Sequence, residues 1–388
     1  MLEYTDDELA AMQATADQIG AEVAPYAARM DAEEAYAPEL LEQLRRRGVW
    51  EMLVEAPGEH PSMTAQSLLI EEVARRCTST SLLLHSQTAA AHTLVLAGPD
   101  DDFGILAGLR SGEQRCGWAI SEPEAGSDVL GMRARAVRDG DDWVISGTKR
   151  WITNAGAAAH YLVFARTSDE RTGRALSAFV VPADAPGFEV GRLEHKMGLR
   201  ASPTGDVSLD QVRVPGRALL GEVGGGLALA LDTLRWSRTL IGSVAVGVAR
   251  GAYDEAVSYA RTREQFGEPI LSFQAVGHMI ADMATQTAAA RALLYEAARR
   301  ADQRGDLPTL FEAAAIKLFC SDVAMKVATD AVQVHGGYGY TREYPVERMM
   351  RDAKVLQIFE GTNQIQRNTI VSQIQRWTAP GAPFSGRG

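Results

Sequence analysis

The 388-residue chain predicts an α+β multi-domain fold, mainly α, in which a helical zone, a β zone and a second helical zone follow one another. Three observations carry this prediction. Helical patterning with capping and stop signals runs from Thr5 to about Gly112 and resumes at Gly226. Between about Gln114 and Gly225 the hydrophobic period drops to two, and Pro182, Pro186, Gly187, Pro203 and Pro215 punctuate the runs. The chain also exceeds one ordinary domain and, at 46% hydrophobic and 23% charged, has the composition of a globular protein. The domains expected are 1–113, 114–225 and 226–378, with a disordered tail over 379–388.

Each element has a local reason. Thr5 can cap a first helix whose opening turn carries Asp6, Asp7 and Glu8, suited to the positive end of the helix dipole. Pro38 opens a helix through Arg47, which Gly48 can close. Thr64–Cys77 and Ser81–Leu96 are nearly free of Gly and Pro and read as buried helices. In the β zone, Arg133–Arg150 alternates about a hairpin turn at Asp139-Gly140-Asp141-Asp142. Tyr161–Ala165, Ser177–Val181 and Asp206–Val214 are further strands, and the insert is expected to be barrel-like. Leu227–Thr262 is apolar on most faces and rich in Gly and Ala, as in a helix packed inside a bundle. Phe273–Arg304 stops at Gly305, and Pro308 starts a helix that stops at Gly336-Gly337. Helices over Val346–Lys354 and Thr362–Trp377 complete the set.

Charge and cysteine usage narrow the function. A net charge of -11 argues against a nucleic-acid partner, which wants a basic surface. It leaves room for a phosphate-bearing cofactor, which needs only a few local cations or helix N-termini. The acidic start, MLEYTDDELA, does not read as a signal or transit peptide, and no apolar run is long enough to cross a bilayer. Cys77, Cys116 and Cys320 fit neither a disulfide framework nor a zinc site. They read as small buried hydrophobes in a cytoplasmic, reducing compartment.

Several segments carry chemistry. AISEPEAGSD can offer backbone N–H groups and Ser127 to a phosphate or ring edge, although a polar loop closing a barrel would look the same. GTKRWITNAG puts Trp151 and Thr153 two apart on a strand, hence on one face, where an aromatic and a hydroxyl could meet a planar cofactor. An ordinary core tryptophan is the alternative. QVHGGYGY is glycine-rich but lacks the strand and lysine of a phosphate loop, and His335 reads as a satisfied loop histidine without a second metal ligand. In IFEGTNQIQR, Glu360 is the one carboxylate, Gly361 lets the backbone turn, and Thr362 can cap the following helix. On its own, a Glu beside a Gly is usually a solvated turn.

Taken in order, SEPEAGSD, GTKRWITNA, KMGLRASPT, RTREQFGEP, QVHGGYGYTREYPVERMMRDA and IFEGTNQIQR resemble the signatures of acyl-CoA dehydrogenases over nearly the whole chain. The resemblance implies an N-terminal helical domain, a central β-barrel and a C-terminal four-helix bundle, assembled as a homotetramer around non-covalent FAD. It places Ser121 and Ser127 at the flavin ring and pyrophosphate, and Trp151 and Thr153 beside the ring. Arg263, Phe266, Gln333 and Gly337 match positions from which a neighbouring subunit holds the adenosine diphosphate part. Thr362 and Gln364 match further flavin contacts.

The resemblance makes Glu360 the catalytic base. A thioester α-proton is weakly acidic, so its removal calls for a carboxylate shielded from water beside the acyl chain. The resemblance also assigns the thioester oxygen to the backbone N–H of the base and a flavin hydroxyl, and the β-hydrogen to the flavin as hydride. Phe359 stands where many members have Tyr. Some branches carry the base just before the arginine matching Arg238, but here that residue is Ser237. Arg235 lies where many members carry Asp, a charge reversal near the pantetheine that suits phosphate. Arg235, Arg238 and Gly361 are therefore candidate substrate contacts. The expected reaction is α,β-dehydrogenation of a short or branched acyl-CoA, with electrons passing to an electron-transfer flavoprotein. The alternatives are the same oxidation of a carrier-protein thioester, or a flavin-binding scaffold without turnover.

Overall fold

The computed structural model describes residues 4–54, 62–98 and 103–376, so the expected tail at 379–388 and Trp377 lie outside the described residues. Seven helices come first: α1 (Asp6–Val23), α2 (Ala27–Glu33), α3 (Pro38–Arg46), α4 (Val49–Leu53), α5 (Met63–Arg76), α6 (Thr78–Ala97) and α7 (Ile105–Ser111). Thr5 and Glu8 close a capping box at the start of α1, and Ser62 caps α5 by accepting from the Ala65 N–H. The two buried helices read from sequence are parted by a single extended residue, Cys77. All three cysteines are free and buried.

The β zone holds β1 (Cys116–Ala119), β2 (Arg135–Asp139), β3 (Asp142–Thr153), β4 (His160–Arg166), β5 (Leu176–Pro182), β6 (Phe188–Leu193), β7 (Thr204–Pro215) and β8 (Leu219–Leu220). They form one sheet in the order β6-β7-β3-β2-β4-β5-β8, with β1 parallel to β4. The β2–β3 hairpin turns at Gly140-Asp141, with Asp139 paired to Asp142. Only Arg135 and Arg166 pair β2 with β4, so the two halves of the sheet meet at a narrow seam and curl about a shared core containing Trp143, Tyr161, Phe164 and Phe179.

The last zone holds α8 (Gly226–Thr262), the short hairpin β9 (Glu264–Gln265) and β10 (Glu268–Pro269), α9 (Gln274–Arg304), α10 (Leu310–His335), α11 (Val346–Leu356) and α12 (Asn363–Arg376). Its apolar residues and those of α1–α6 merge into one core. Close approach of α8 to α5 explains two glycines: a Cβ at Gly247 would stand 2.3 Å from the Glu71 carbonyl oxygen, and one at Gly251 2.4 Å from that of Arg75. Buried Glu71 and Glu72 on α5 meet Arg250 of α8, and Glu71 also meets Arg291 and Tyr295 of α9. The helical zones, separate in sequence, are therefore one packed body flanking the sheet. No described helix is long and apolar enough to cross a membrane.

Candidate functional site

The loop between α11 and α12 carries Glu360. Its ends are tied by the Asn363 N–H donating to the Gln357 carbonyl (3.0 Å) and by Thr362 Oγ1 accepting from the Ile365 N–H (3.2 Å). Glu360 (φ 56°) and Gly361 (φ 84°) are consecutive left-handed residues, which reverse the chain within two positions. For glutamate this conformation costs on the order of 1 kcal/mol and persists only where surroundings hold it. They do so here. Arg238 Nε of α8 donates to the Glu360 carbonyl (3.0 Å), and Gln366 Nε2 donates to the carbonyls of Gly361 (2.8 Å) and Glu360 (3.3 Å). The Glu360 side chain ends in a buried oxygen, Oε2, that has no hydrogen-bond partner among the described residues. Such an oxygen is available to a proton brought by a ligand.

Three helices feel this carboxylate. On α6, His85 Nε2 lies 3.1 Å from both the carbonyl and the hydroxyl of Ser237, which fills the position of the alternative base. Burial lowers the His85 pKa, and the charge of Glu360 opposes that. On α8, burial lowers the Arg238 pKa with Glu360 again opposing. On α10, burial takes Lys317 down to about 7, against the pull of Glu360 and Asp322 and with Arg238 assisting.

A second group gathers at the end of β3. Buried Lys149 donates to Glu122 Oε1 (2.7 Å), while Glu122 accepts from the N–H groups of Arg133 (2.6 Å) and Ala134 (3.0 Å). This pair staples the loop of Ser121 and Ser127 onto β3, and the Arg150 N–H bonds the Ser121 carbonyl (2.9 Å). Both partners sat inside the quoted motifs, yet a Glu and a Lys 27 residues apart give no sequence sign of pairing. Trp151 departs from the expected alternation. Pairing with β7 shifts between Lys149 and Ile152, so Trp151 sits in a bulge at φ 64°. The bulge turns its ring outward, 57% exposed, with the Arg150 guanidinium 4.7 Å from the ring centre. Asn154 Nδ2 then donates to Ser86 Oγ of α6 (3.2 Å). Ser86 adjoins His85, His85 meets Ser237, and Arg238 holds the Glu360 carbonyl, so a bonded path links the strand end to the base loop.

A third cluster stands apart. Arg263, Gly336, Gly337, Tyr259, His335 and Tyr338 line a cleft of about 510 Å³. Phe266 beside it is 96% exposed at φ 53°, and Gln333 is exposed. Lys317 and His335 lie about 27 Å apart along α10, so this cluster and Glu360 are far apart in one chain. His335 closes α10 rather than sitting in a loop; its Nδ1 meets the Ala331 carbonyl (2.8 Å) and its ring stacks on Tyr259. No metal-binding group of acids, histidines and cysteines exists among the described residues.

Arg235 is not brought to the base. Its guanidinium bonds the Pro308 carbonyl (2.8 Å), the Leu307 carbonyl (3.3 Å) and Asp232 (3.2 Å), which fastens α8 to the turn before α10. The guanidinium is thus held from within the chain, while its side chain stays 23% exposed. Gln364 and Ser127 are exposed, and Gly361 touches the Arg238–Gln366 pair that positions the loop.

Comparison with known proteins agrees along the whole length. Residues 5–102, 117–212 and 224–375 match the N-terminal, middle and C-terminal domain models of acyl-CoA dehydrogenase. A probable acyl-CoA dehydrogenase FadE25 of Mycobacterium tuberculosis is 44% identical over 368 residues, 94% of each chain. A cyclohexane-1-carbonyl-CoA dehydrogenase of Geobacter metallireducens is 43% identical over 381 residues, 97% of this chain and 99% of that one. The structure of butyryl-CoA dehydrogenase from Megasphaera elsdenii superimposes with a TM-score of 0.90 at 34% identity, covering 97% of this chain and all of that one.

Proposed function

The chain belongs to the acyl-CoA dehydrogenase family, FAD-dependent oxidoreductases that dehydrogenate acyl-CoA, and from that premise we propose that it oxidises a short or branched acyl-CoA with Glu360 as base. The observation that carries the assignment is the buried, unpartnered Oε2 of Glu360 on a loop held from three sides. Relatives named for butyryl and cyclohexane-carbonyl thioesters support the short or ring-bearing acyl class.

The residues present fit FAD. Trp151 offers an exposed ring at a strand end, with Ser121 bonded alongside and Thr153 two residues on. Among the described residues, nothing beyond their own chain neighbours comes within 4 Å of where a Cβ would stand on Gly336 or Gly337, leaving backbone open to a ligand beside Arg263. Trp151, Thr153, Ser121 and Thr362 would hold the ring, and Ser127 the pyrophosphate. Arg263, Phe266, Gln333 and Gly337, too distant from Glu360 in one chain, would serve a neighbouring subunit's cofactor, as a homotetramer requires. Bound FAD supplies the acceptor for two electrons and the β-hydrogen.

Glu360 takes the α-proton. The electron pair of that C–H bond becomes the new Cα–Cβ π bond as the β-hydrogen departs as hydride, giving the trans-2-enoyl thioester. Arg238 and Gln366 fix the base by its backbone, leaving the carboxylate free to reach the α-carbon. The backbone N–H of Glu360 makes no hydrogen bond among the described residues and is available to the thioester oxygen as charge develops there. An electron-transfer flavoprotein remains the proposed acceptor.

Anaerobic bleaching of the flavin over a panel of acyl-CoAs and carrier-bound thioesters tests this reading. Fast bleaching by four- to seven-carbon or ring-bearing acyl-CoAs is expected. Bleaching by carrier-bound thioesters alone, or by none, would reject it.

A further inference from the structure

The seam where β2 meets β4 opens into a cleft of about 560 Å³ that the function above does not use. Four arginines line it, Arg133, Arg135, Arg166 and Arg171, against two carboxylates, Asp128 and Asp169. It is a cationic hollow on a chain whose net charge is -11. Arg135 and Arg166 are themselves the backbone pair that joins the two strands. Arg166 is only 9% exposed; its Nη1 donates to the Leu130 carbonyl (3.1 Å) and its Nη2 to that of Glu170. It thereby ties the 120–134 loop to the 167–175 loop, and both loops contribute residues to the cleft.

What Arg166 lacks is a counter-charge. Both of its side-chain bonds go to neutral carbonyls, and no carboxylate pairs with it among the described residues. A guanidinium withdrawn from water without an anion is costly, and an anion entering the cleft would offset that cost. Arg135 is matched by Asp169. Arg133 and Arg171 are exposed and make no side-chain hydrogen bond or ion pair among the described residues. With two carboxylates set against four guanidinium groups, the charge left over matches a phosphate monoester dianion. Planar guanidinium forks suit its oxygens, and the volume is that of a small-ligand site.

We propose that this cleft holds the adenosine 3′,5′-bisphosphate end of the thioester substrate's CoA, with Arg133, Arg166 and Arg171 as its phosphate contacts. This rests on the reading of the substrate as an acyl-CoA. It also separates the two thioester carriers, because the phosphopantetheine of a carrier protein has neither adenosine nor a 3′-phosphate and leaves these arginines unfilled. The place of the cleft in the fold agrees. Glu122 accepts from the N–H groups of Arg133 and Ala134 and from Lys149 of β3, so the loop carrying Arg133 is stapled to the strand whose end reaches Ser86 of α6. Lys149 and Asn154 lie up to about 16 Å apart along extended chain. The arginines therefore stand removed from the base along β3, as the pantetheine arm between a thioester and its nucleotide requires.

The test supplies one acyl group, the fastest of the panel above, on CoA, on 3′-dephospho-CoA and on pantetheine to FAD-loaded enzyme, and follows flavin reduction against concentration. Wild type should need about tenfold more of the 3′-dephospho thioester for half-maximal reduction, and more again of the pantetheine thioester, with limiting rates within about twofold. Arg133→Gln and Arg171→Gln should each raise the half-saturating concentration of the CoA thioester by about five- to tenfold and leave that of the pantetheine thioester unmoved. Adenosine 3′,5′-bisphosphate titrated calorimetrically should bind wild type and bind both variants more weakly. Equal half-saturation by the three thioesters, or variants that weaken all three alike, would overturn the proposal. So would bisphosphate binding at these arginines with the CoA and 3′-dephospho-CoA thioesters equal, the behaviour of a site for a free nucleotide. Failure of all three thioesters to reduce the flavin would instead reject the acyl-CoA reading, while the calorimetry still reads the cleft on its own.

Discussion

The Glu360 loop and the Arg263–Gly337 corner are both built from left-handed backbone and glycine, yet one is closed over by groups of its own chain and the other is left exposed. Around Glu360 every support is internal: Arg238, Gln366 and Asn363 close on the loop, and a carboxylate oxygen is sealed from water. At the other corner Phe266 is 96% exposed and Tyr340 88%, each presenting a large apolar ring to solvent. Aromatic surface left bare beside an arginine and open glycines is the mark of a face that a partner or ligand covers. Glu360, Phe266 and Trp151 share another property: each is a bulky residue at positive φ. Glu34, Leu199 and Gln211 share it outside these sites, so positive φ marks backbone held by its surroundings and does not by itself mark a site. The contrast supports the proposal that catalysis is assembled by one chain and cofactor retention by more than one.

The largest test of that contrast is Glu360→Gln, which should keep FAD and fold but lower flavin reduction by on the order of 10³-fold or more, read by stopped-flow absorbance. A smaller loss follows from Gly361→Val. At φ 84° a β-branched residue is strained, and its Cβ would meet Gln366 Nε2 at 2.8 Å and Arg238 Nη2 at 3.0 Å, the two groups holding the base. A fall of about 10- to 100-fold in the reduction rate, with FAD content unchanged, is expected. At the outlying corner the pattern should invert. Arg263→Ala should weaken FAD retention about tenfold and shift the oligomer in size-exclusion chromatography, while freshly loaded enzyme keeps its reduction rate. Unchanged flavin content and size would show that the corner is complete in one chain. The smallest effect belongs to Arg235→Ala. Losing its bonds to the α9–α10 turn should cost about 1–2 kcal/mol in denaturant unfolding and leave KM for acyl-CoA within about twofold.

Much of this was legible in the residues, for stated reasons. Thr5 caps α1, Gly305 ends α9 in the left-handed region, and the β2–β3 hairpin turns at its Gly-Asp pair, because these features depend on neighbours in sequence; α10, expected from Pro308, instead begins at Leu310 with Thr309 and Glu312 forming a capping box. Thr362 likewise caps α12. Trp151 was found as an aromatic on a strand, but its exposure comes from a bulge that depends on register with β7. The charge of Arg235 is visible in sequence, but its bonds to the carbonyls of Leu307 and Pro308 are not. Lys149 and Lys317 passed unremarked, since burial of a lysine is a property of what packs over it.

The sequence by itself determined the order of helical and β zones, the family, the FAD requirement and the single glutamate on which the chemistry is proposed to turn. Period, caps and motif order are local, and they survive without coordinates. Tertiary structure alone decided that the two helical zones share one core, that His85, Ser237, Arg238 and Lys317 gather about that glutamate, and that the Arg263 corner lies far from it. Those relations join residues from helices distant in the chain, and only the packing of one helix against another sets which buried charges feel each other.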